Sequence, residues 1–476
     1  MVALRNPEPV LRGLGRNPAA SVDVLLSLLA RAPEALRQAL PHRAHLPRPL
    51  QEALLAGRLV GVLAEHPGTD PDLQRRLLAT PSWRVRIRVA ARMRLTEDDL
   101  ARLLTDAADP RPEDLMTQQE IIGELEFAVG YDPRLYAVAT SHPDPRIRLH
   151  AVHVREHLPR LAADPVTEVR LAAEHRIAEN ARLREPADLP STHSHGFWWV
   201  LQQPLSRALI DQVLGDEQAL YFVGPNPTTP PDVVEELMRH PSARVRQRLA
   251  GRADLTEGQL LRLAADADAG VRTAVSVHPG LTEAQRAGID IDVTTMPGDE
   301  HYGTSARCHE PHGDNRPPPL EDARRWARSV NPLLRRRAAR HPELPPASAD
   351  PDLGVRVLTA IHNPAAPPEL VLRSFLEHTG CGRGRLESHP RFPVDGLARF
   401  AGDKDPRVRR LVARDPQADP QVVDRLLGDP DPGVREAMAS CPRLPVARIL
   451  TLLDDPGLAE PAATNPALPI ERVYQP

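Results

Sequence analysis

Between Asp403 and Pro442 the chain reads DKDPRVRRLVARDPQADPQVVDRLLGDPDPGVREAMASCP, one pattern stated twice. Asp-Pro leads into Arg-Val-Arg or Gly-Val-Arg. A short apolar run follows, Leu411-Val412-Ala413 in the first copy and Ala437-Met438-Ala439 in the second, and a proline stops it, Pro416 or Pro442. A second apolar run, Val422-Val423 with Leu426-Leu427, lies between the copies. The Val-Arg signature recurs at Val85-Arg86, Ile147-Arg148, Val169-Arg170, Val245-Arg246, Val271-Arg272, Val355-Arg356, Val408-Arg409 and Val434-Arg435, with degenerate copies at Leu334-Arg335 and Leu458-Ala459. Neighbouring anchors stand 22 (147 to 169), 26 (245 to 271), 21 (334 to 355), 26 (408 to 434) and 24 (434 to 458) residues apart. Helices of eight to ten residues are marginal alone in water. A unit of this length cannot bury its own apolar face, so it must stack on its neighbours.

Each unit has room for two short helices. Prolines eight residues past the anchor (Pro279, Pro342, Pro416, Pro442, Pro466) close the first, because proline donates no hydrogen bond and clashes with the preceding turn. Thr96-Glu97-Asp98-Asp99, Thr256-Glu257-Gly258-Gln259 and Thr282-Glu283-Ala284-Gln285 open the second, the last two as capping boxes. Elsewhere Pro231-Asp232 or Pro368-Glu369 does so. The expected organisation is a cap of degenerate repeats at 1–60, repeats at 61–184, an aromatic insertion at 185–225, repeats at 226–290, a polar irregular loop at 291–322 and C-terminal repeats at 323–476. Long loops within compact arrays are uncommon and often functional.

Composition narrows the reading. The 53 prolines would suggest disorder, but they recur beside apolar runs as punctuation. Aromatic residues make up only 3% of the chain, so aliphatic side chains must build the core. A net charge of −4 gives no global pull toward nucleic acid or anionic lipid. Cys308, Cys381 and Cys441 are too sparse and too far apart for a disulfide framework. No apolar stretch approaches the roughly 20 residues of a membrane span, and no secretory leader is evident. The expected setting is cytoplasmic, with no membrane partner.

The pattern D-P-x-V-R-x-x-V/A-A-x-x-P, followed by a helix opened by Pro-Glu or Leu-Thr-Glu, resembles the leucine-rich repeat variant family of bacterial proteins. It is also similar to HEAT-type repeats, though the short unit favours the variant family. The resemblance covers about 60–100, 140–180, 226–290 and 325–476. It implies an all-α fold, a right-handed α-solenoid of repeats of about 24 residues, here with two irregular insertions; one helix of each pair is short and can be 3₁₀. One relative type carries an iron–sulfur cluster on N-terminal cysteines. This chain has no cysteine before Cys308, so no cofactor is carried over.

Three features are candidates for chemistry or binding. The repeat arginines occupy one equivalent position, and an Asp precedes several by six residues: Asp164/Arg170, Asp266/Arg272, Asp350/Arg356, Asp403/Arg409 and Asp429/Arg435. In HEAT-like stacks such residues pair between adjacent units, so the ladder reads as internal stitching. Arg84, Arg146, Arg244 and Arg407 lack a matching acid and are the arginines expected to meet a partner. The loop residues His301, Cys308, His309 and His312 are competent metal ligands, although their spacing matches no finger and a solvated polar loop is the favoured reading. Trp198 and Trp199 stand in the densest aromatic cluster, as a partner hot spot or as filling between repeat blocks. No G-x-S-x-G, Walker A, H-E-x-x-H or dinucleotide fingerprint occurs. The expected function is therefore a non-enzymatic scaffold binding a protein or extended peptide. The alternatives are a nucleic-acid-binding solenoid using the unpaired arginines and a regulatory protein with a metal-bearing loop at 301–312.

Overall fold

The computed structural model describes residues 7–57, 59–111, 115–295, 317–380 and 382–475. Among these the chain is all-helical; the one departure is an isolated bridge between Arg184 and Leu205. The described chain divides into two compact units, Met1–Ile177 together with Val394–Pro476, and Ala178–Pro393.

The repeat signals place helices where expected. Pro432–Ala439 and Pro420–Leu426 carry proline at their first turn, where its missing N–H costs nothing. Both capping boxes close reciprocally: the Gln259 amide N–H donates to Thr256 Oγ1 at 3.3 Å, and Gln259 Oε1 accepts from the Thr256 N–H at 2.9 Å; Thr282 and Gln285 do the same. The first helix of one unit becomes 3₁₀ over Arg410–Arg414 before Pro416. In the Ala178–Pro393 unit, His195–Leu201, Glu217–Val223, Ala243–Leu249 and Ala269–Val275 lie each against the next. Between them run Arg207–Val213, Pro231–Leu237 and Glu257–Ala264.

The stretch expected as an irregular insertion at 185–225 is thus helical. His195–Leu201, Arg207–Val213 and Glu217–Val223 are each capped by a side chain, Ser194, Ser206 and Asp216. Phe197, Leu201, Leu209, Ile210 and Leu220 join the same buried core as the later repeats. It lacks the Val-Arg tag but keeps the apolar spacing. The reverse occurs at 339–352. The short 21-residue interval between Leu334 and Val355 leaves no second helix there, and a cavity of about 300 Å³ lies beside Arg335, Ala339, Ala347, Asp350, Val355 and Thr359.

The residue before each stopping proline proves as informative as the proline. It is polar and buried in most units: Asn17, His66, Asn226, His278, Asn363, His389, Asp415 and Asn465. Asn465 Nδ2 donates to the carbonyls of Ala439 (2.9 Å) and Cys441 (2.6 Å), the equivalent turn one unit earlier. Asn226 does the same to Leu201 and Gln203 at 2.9 and 2.8 Å. Arg43 and Arg252 donate from one Nη1 to two such carbonyls each. His66 and His278 place Nε2 on the carbonyls of Arg43 and Arg252, while Nδ1 accepts a backbone N–H two residues on. Buried backbone carbonyls are almost always paired, and these side chains supply the pairing between units.

The same ladder joins the two chain segments of the first unit. Asn17 Nδ2 donates to the carbonyls of Ala463 (2.9 Å) and Asn465 (2.7 Å), as Asn465 does to its own predecessor. Pro7–Arg16 lies on Ala459–Thr464, with Arg12 and Arg16 both 2.9 Å from Glu460. The N-terminal repeats therefore continue the C-terminal stack in register. Gly13 permits that approach: a Cβ there would stand 2.5 Å from Ala463 Cβ and press on the Glu460 carbonyl. Gly13→Ala is therefore expected to lower the stability of this unit. Overpacking costs about 1–3 kcal/mol, which outweighs the roughly 1 kcal/mol gained in helix propensity. Thermal unfolding checks this, and a raised Tm would show that the two segments do not meet here.

Candidate functional site

The repeat arginines are held inside the stack. Arg409 Nη1 donates to the carbonyls of Asp403 (2.9 Å) and Lys404 (3.2 Å), which start its own unit. Its Nε and Nη2 reach the carboxylate of Asp429, which starts the next, at 2.8 and 2.7 Å. Arg148 with Asp164, Arg246 with Asp266 and Arg335 with Asp350 repeat this bidentate geometry. Arg86 with Asp106, Arg272 with Asp290 and Arg356 with Glu377 give further ion pairs to a later acid. Internal stitching between adjacent units is thus present: Asp164, Asp266, Asp350 and Asp429 each offer a backbone carbonyl to the arginine six residues on and give their carboxylates to the repeat arginine before. Asp164, Asp266 and Asp429 are held below the ordinary carboxylate range, first by the hydrogen bonds from their arginines.

Of the arginines expected to be free, Arg146 is not. It donates to Asp144 at 3.1 and 2.7 Å and to Asp109 at 3.0 Å. The nearer acid lies two residues before it and the other in an earlier unit, where a six-residue rule does not look. Arg84 and Arg407 are exposed, with no side-chain ion pair among the described residues. Arg244 is exposed and lies 4.9 Å from the Tyr221 ring centroid. The loop candidates His301, Cys308, His309 and His312 lie outside the described residues. Cys441 is free and buried, and burial pushes its thiol up.

The aromatic residues divide by position on their helix. Trp198 packs on the core, stacked on Phe222 at 5.2 Å between centroids and edge-on to Phe197 at 4.7 Å. Trp199 is 47% exposed, with the buried Arg184 guanidinium 5.3 Å from its ring. On the next first helix, Tyr221 lies under both Arg244 (4.9 Å) and Arg248 (4.1 Å) of the helix after that. Arg248 Nε also donates to the Tyr221 carbonyl at 3.2 Å. Consecutive stacked helices thus present tryptophan, tyrosine and arginine from neighbouring repeat positions.

In the other unit a constellation appears that the sequence reading missed. Glu126, on Gln118–Ala128, meets His150 and His153 at the end of Pro145–His150 and the following 3₁₀ turn. Glu126 and His150 are 24 residues apart, one repeat interval, and their side chains meet at 2.9 Å. The repeat period was the signal that could have found them.

Among the described residues no helix is long and apolar enough to cross a membrane. A scan against protein-family models finds no match, and neither does a search of curated proteins.

The ladder makes an acid-sensitive prediction. A carboxyl whose folded pKa is depressed contributes stability that is complete above its unfolded pKa and is lost as pH falls through the folded value. Asp266→Asn keeps an acceptor for the Asp268 N–H but strands the Arg246 guanidinium, whose side chain is only 14% exposed. It should cost about 3 kcal/mol at neutral pH and less below pH 4, as the wild-type pair is itself protonated away. Urea unfolding across pH checks both, and an unchanged midpoint at pH 7 would contradict the pairing.

Proposed function

We propose that each unit is a right-handed α-solenoid of short repeats, and that the chain acts without enzymatic activity as a scaffold for a protein or extended peptide. The observation that carries the reading is that Trp199, Tyr221, Arg244 and Arg248 stand on three consecutive first helices, each in a contact between a ring and a guanidinium. Tryptophan, tyrosine and arginine are the residue types in which binding energy concentrates. Here they are held by rigid helices and by stacked guanidinium groups, so little side-chain freedom is lost when a partner covers them. Successive repeats present such positions at regular intervals, which suits an extended ligand.

The nucleic-acid alternative draws less support. A phosphate-tracking stripe needs a run of free cations. The repeat arginines instead meet carbonyls and carboxylates, Arg146 meets two acids, and the net charge is −4. The scaffold and its cytoplasmic setting are tested by capture from native lysate with the full chain and with the Trp199→Ala, Arg244→Ala double variant. The wild type should retain a defined protein that the variant loses by at least about tenfold, the scale of one hot-spot contact. Equal recovery by both, or recovery of nucleic acid that salt removes, would overturn the reading.

A further inference from the structure

Glu126 is an unusual carboxylate for this chain. The residue is 8% exposed, and among the described residues no arginine or lysine meets it. A buried anion without a cation is costly. Among the described residues its ionic neighbours are His150, whose Nε2 lies 2.9 Å from Glu126 Oε1, and His153, whose Nε2 lies 3.6 Å from the same oxygen.

The two imidazoles are not equivalent. His153 Nδ1 stands 2.6 Å from the His150 carbonyl, which only accepts, so Nδ1 carries the proton. With Nδ1 held in this way, Nε2 is the ring nitrogen turned toward Glu126 Oε1, the geometry in which both atoms can ligate one metal ion. A backbone carbonyl on Nδ1 is also how metal-binding histidines are held with Nε2 free. The Tyr136 ring lies edge-on to His153 at 5.5 Å. Tyr136 is itself buried, which marks the surroundings as poorly solvated.

The distances suit a small divalent ion. Ligand atoms on one tetrahedral zinc stand about 3.3 Å apart, given bonds of about 2.0–2.1 Å. The two separations from Glu126 Oε1, 2.9 and 3.6 Å, bracket that value, and all the candidate ligand atoms fall within 4.8 Å of one another. The His153 side chain is 44% exposed, which gives the ion a path in and leaves room for water as a fourth ligand. We infer that Glu126, His150 and His153 form a two-histidine, one-carboxylate site for a divalent transition-metal ion, zinc in the first instance.

The test uses the full chain, stripped with chelator and titrated with zinc by calorimetry and with cobalt by visible absorption. Three proteins are compared with wild type: His153→Ala, Glu126→Gln and Cys308→Ser, with circular dichroism as the check on folding. Wild type and Cys308→Ser should bind zinc and share one cobalt band. His153→Ala should lose that equivalent or weaken it by roughly 100-fold or more, since even an outer partner of a metal ligand costs up to about 100-fold. His153 is substantially exposed, so its variant is expected to fold whatever becomes of Glu126→Gln. Wild-type affinity in His153→Ala overturns the site, as does a wild type that binds no zinc. A helical Glu126→Gln with unchanged stoichiometry does so too.

Discussion

Most of the repeat arginines perform two jobs, and the stack depends on both. One end of the guanidinium holds carbonyls at the start of its own unit; in four units the other grips an aspartate of the next bidentately. A planar fork of five donors can do this and an ammonium cannot. The chain uses arginine almost throughout, with Lys404 its single lysine and exposed. The aspartate is equally engaged, since its carboxylate also accepts the N–H two residues on, as Asp266 does from Asp268. The joint between units is therefore fixed at a charged, largely dry point as well as by its apolar faces.

A second, uncharged ladder runs through the pre-proline residues. Proline frees the turn from the helix and leaves carbonyls without intrahelical partners. Asparagine, histidine or arginine of the following unit then takes them up. The equivalence of Asn17 and Asn465 is the clearest consequence. Side-chain bonds of identical pattern link neighbouring units and link chain segments more than 400 residues apart, so terminal repeats of this unit cover one another. Repeat stacks otherwise need dedicated caps to shield their last apolar face.

Much of this was legible in the sequence. Asp403–Pro442 announced its helices through proline, aspartate and apolar spacing, and Thr256 and Thr282 announced theirs through Gln259 and Gln285. What was not legible depended on register between units. The partner of Arg409 is Asp429 rather than Asp403, which only stacking geometry decides. Arg146 looked unpaired because Asp109 lies 37 residues away. The 185–225 stretch read as an insertion because it lacks the Val-Arg tag, although Ser194, Ser206 and Asp216 already stood as helix caps. Glu126, His150 and His153 carried no linear motif; the one trace in the sequence is the repeat interval of 24 residues between Glu126 and His150.

The dependence of the stack on the arginine bridge is open to one direct measurement. Arg148 and Asp164 are joined by two bonds of 2.7 and 3.0 Å, and their side chains are 11% and 6% exposed. A double-mutant cycle, Arg148→Ala with Asp164→Ala, read by urea unfolding at neutral pH, isolates their coupling from the carbonyl bonds each makes alone. The bridge predicts a coupling of about 2–3 kcal/mol, within the range measured for residues sharing one ionic network. Additive single-mutant effects would contradict it and leave the units held by their apolar faces and the uncharged ladder.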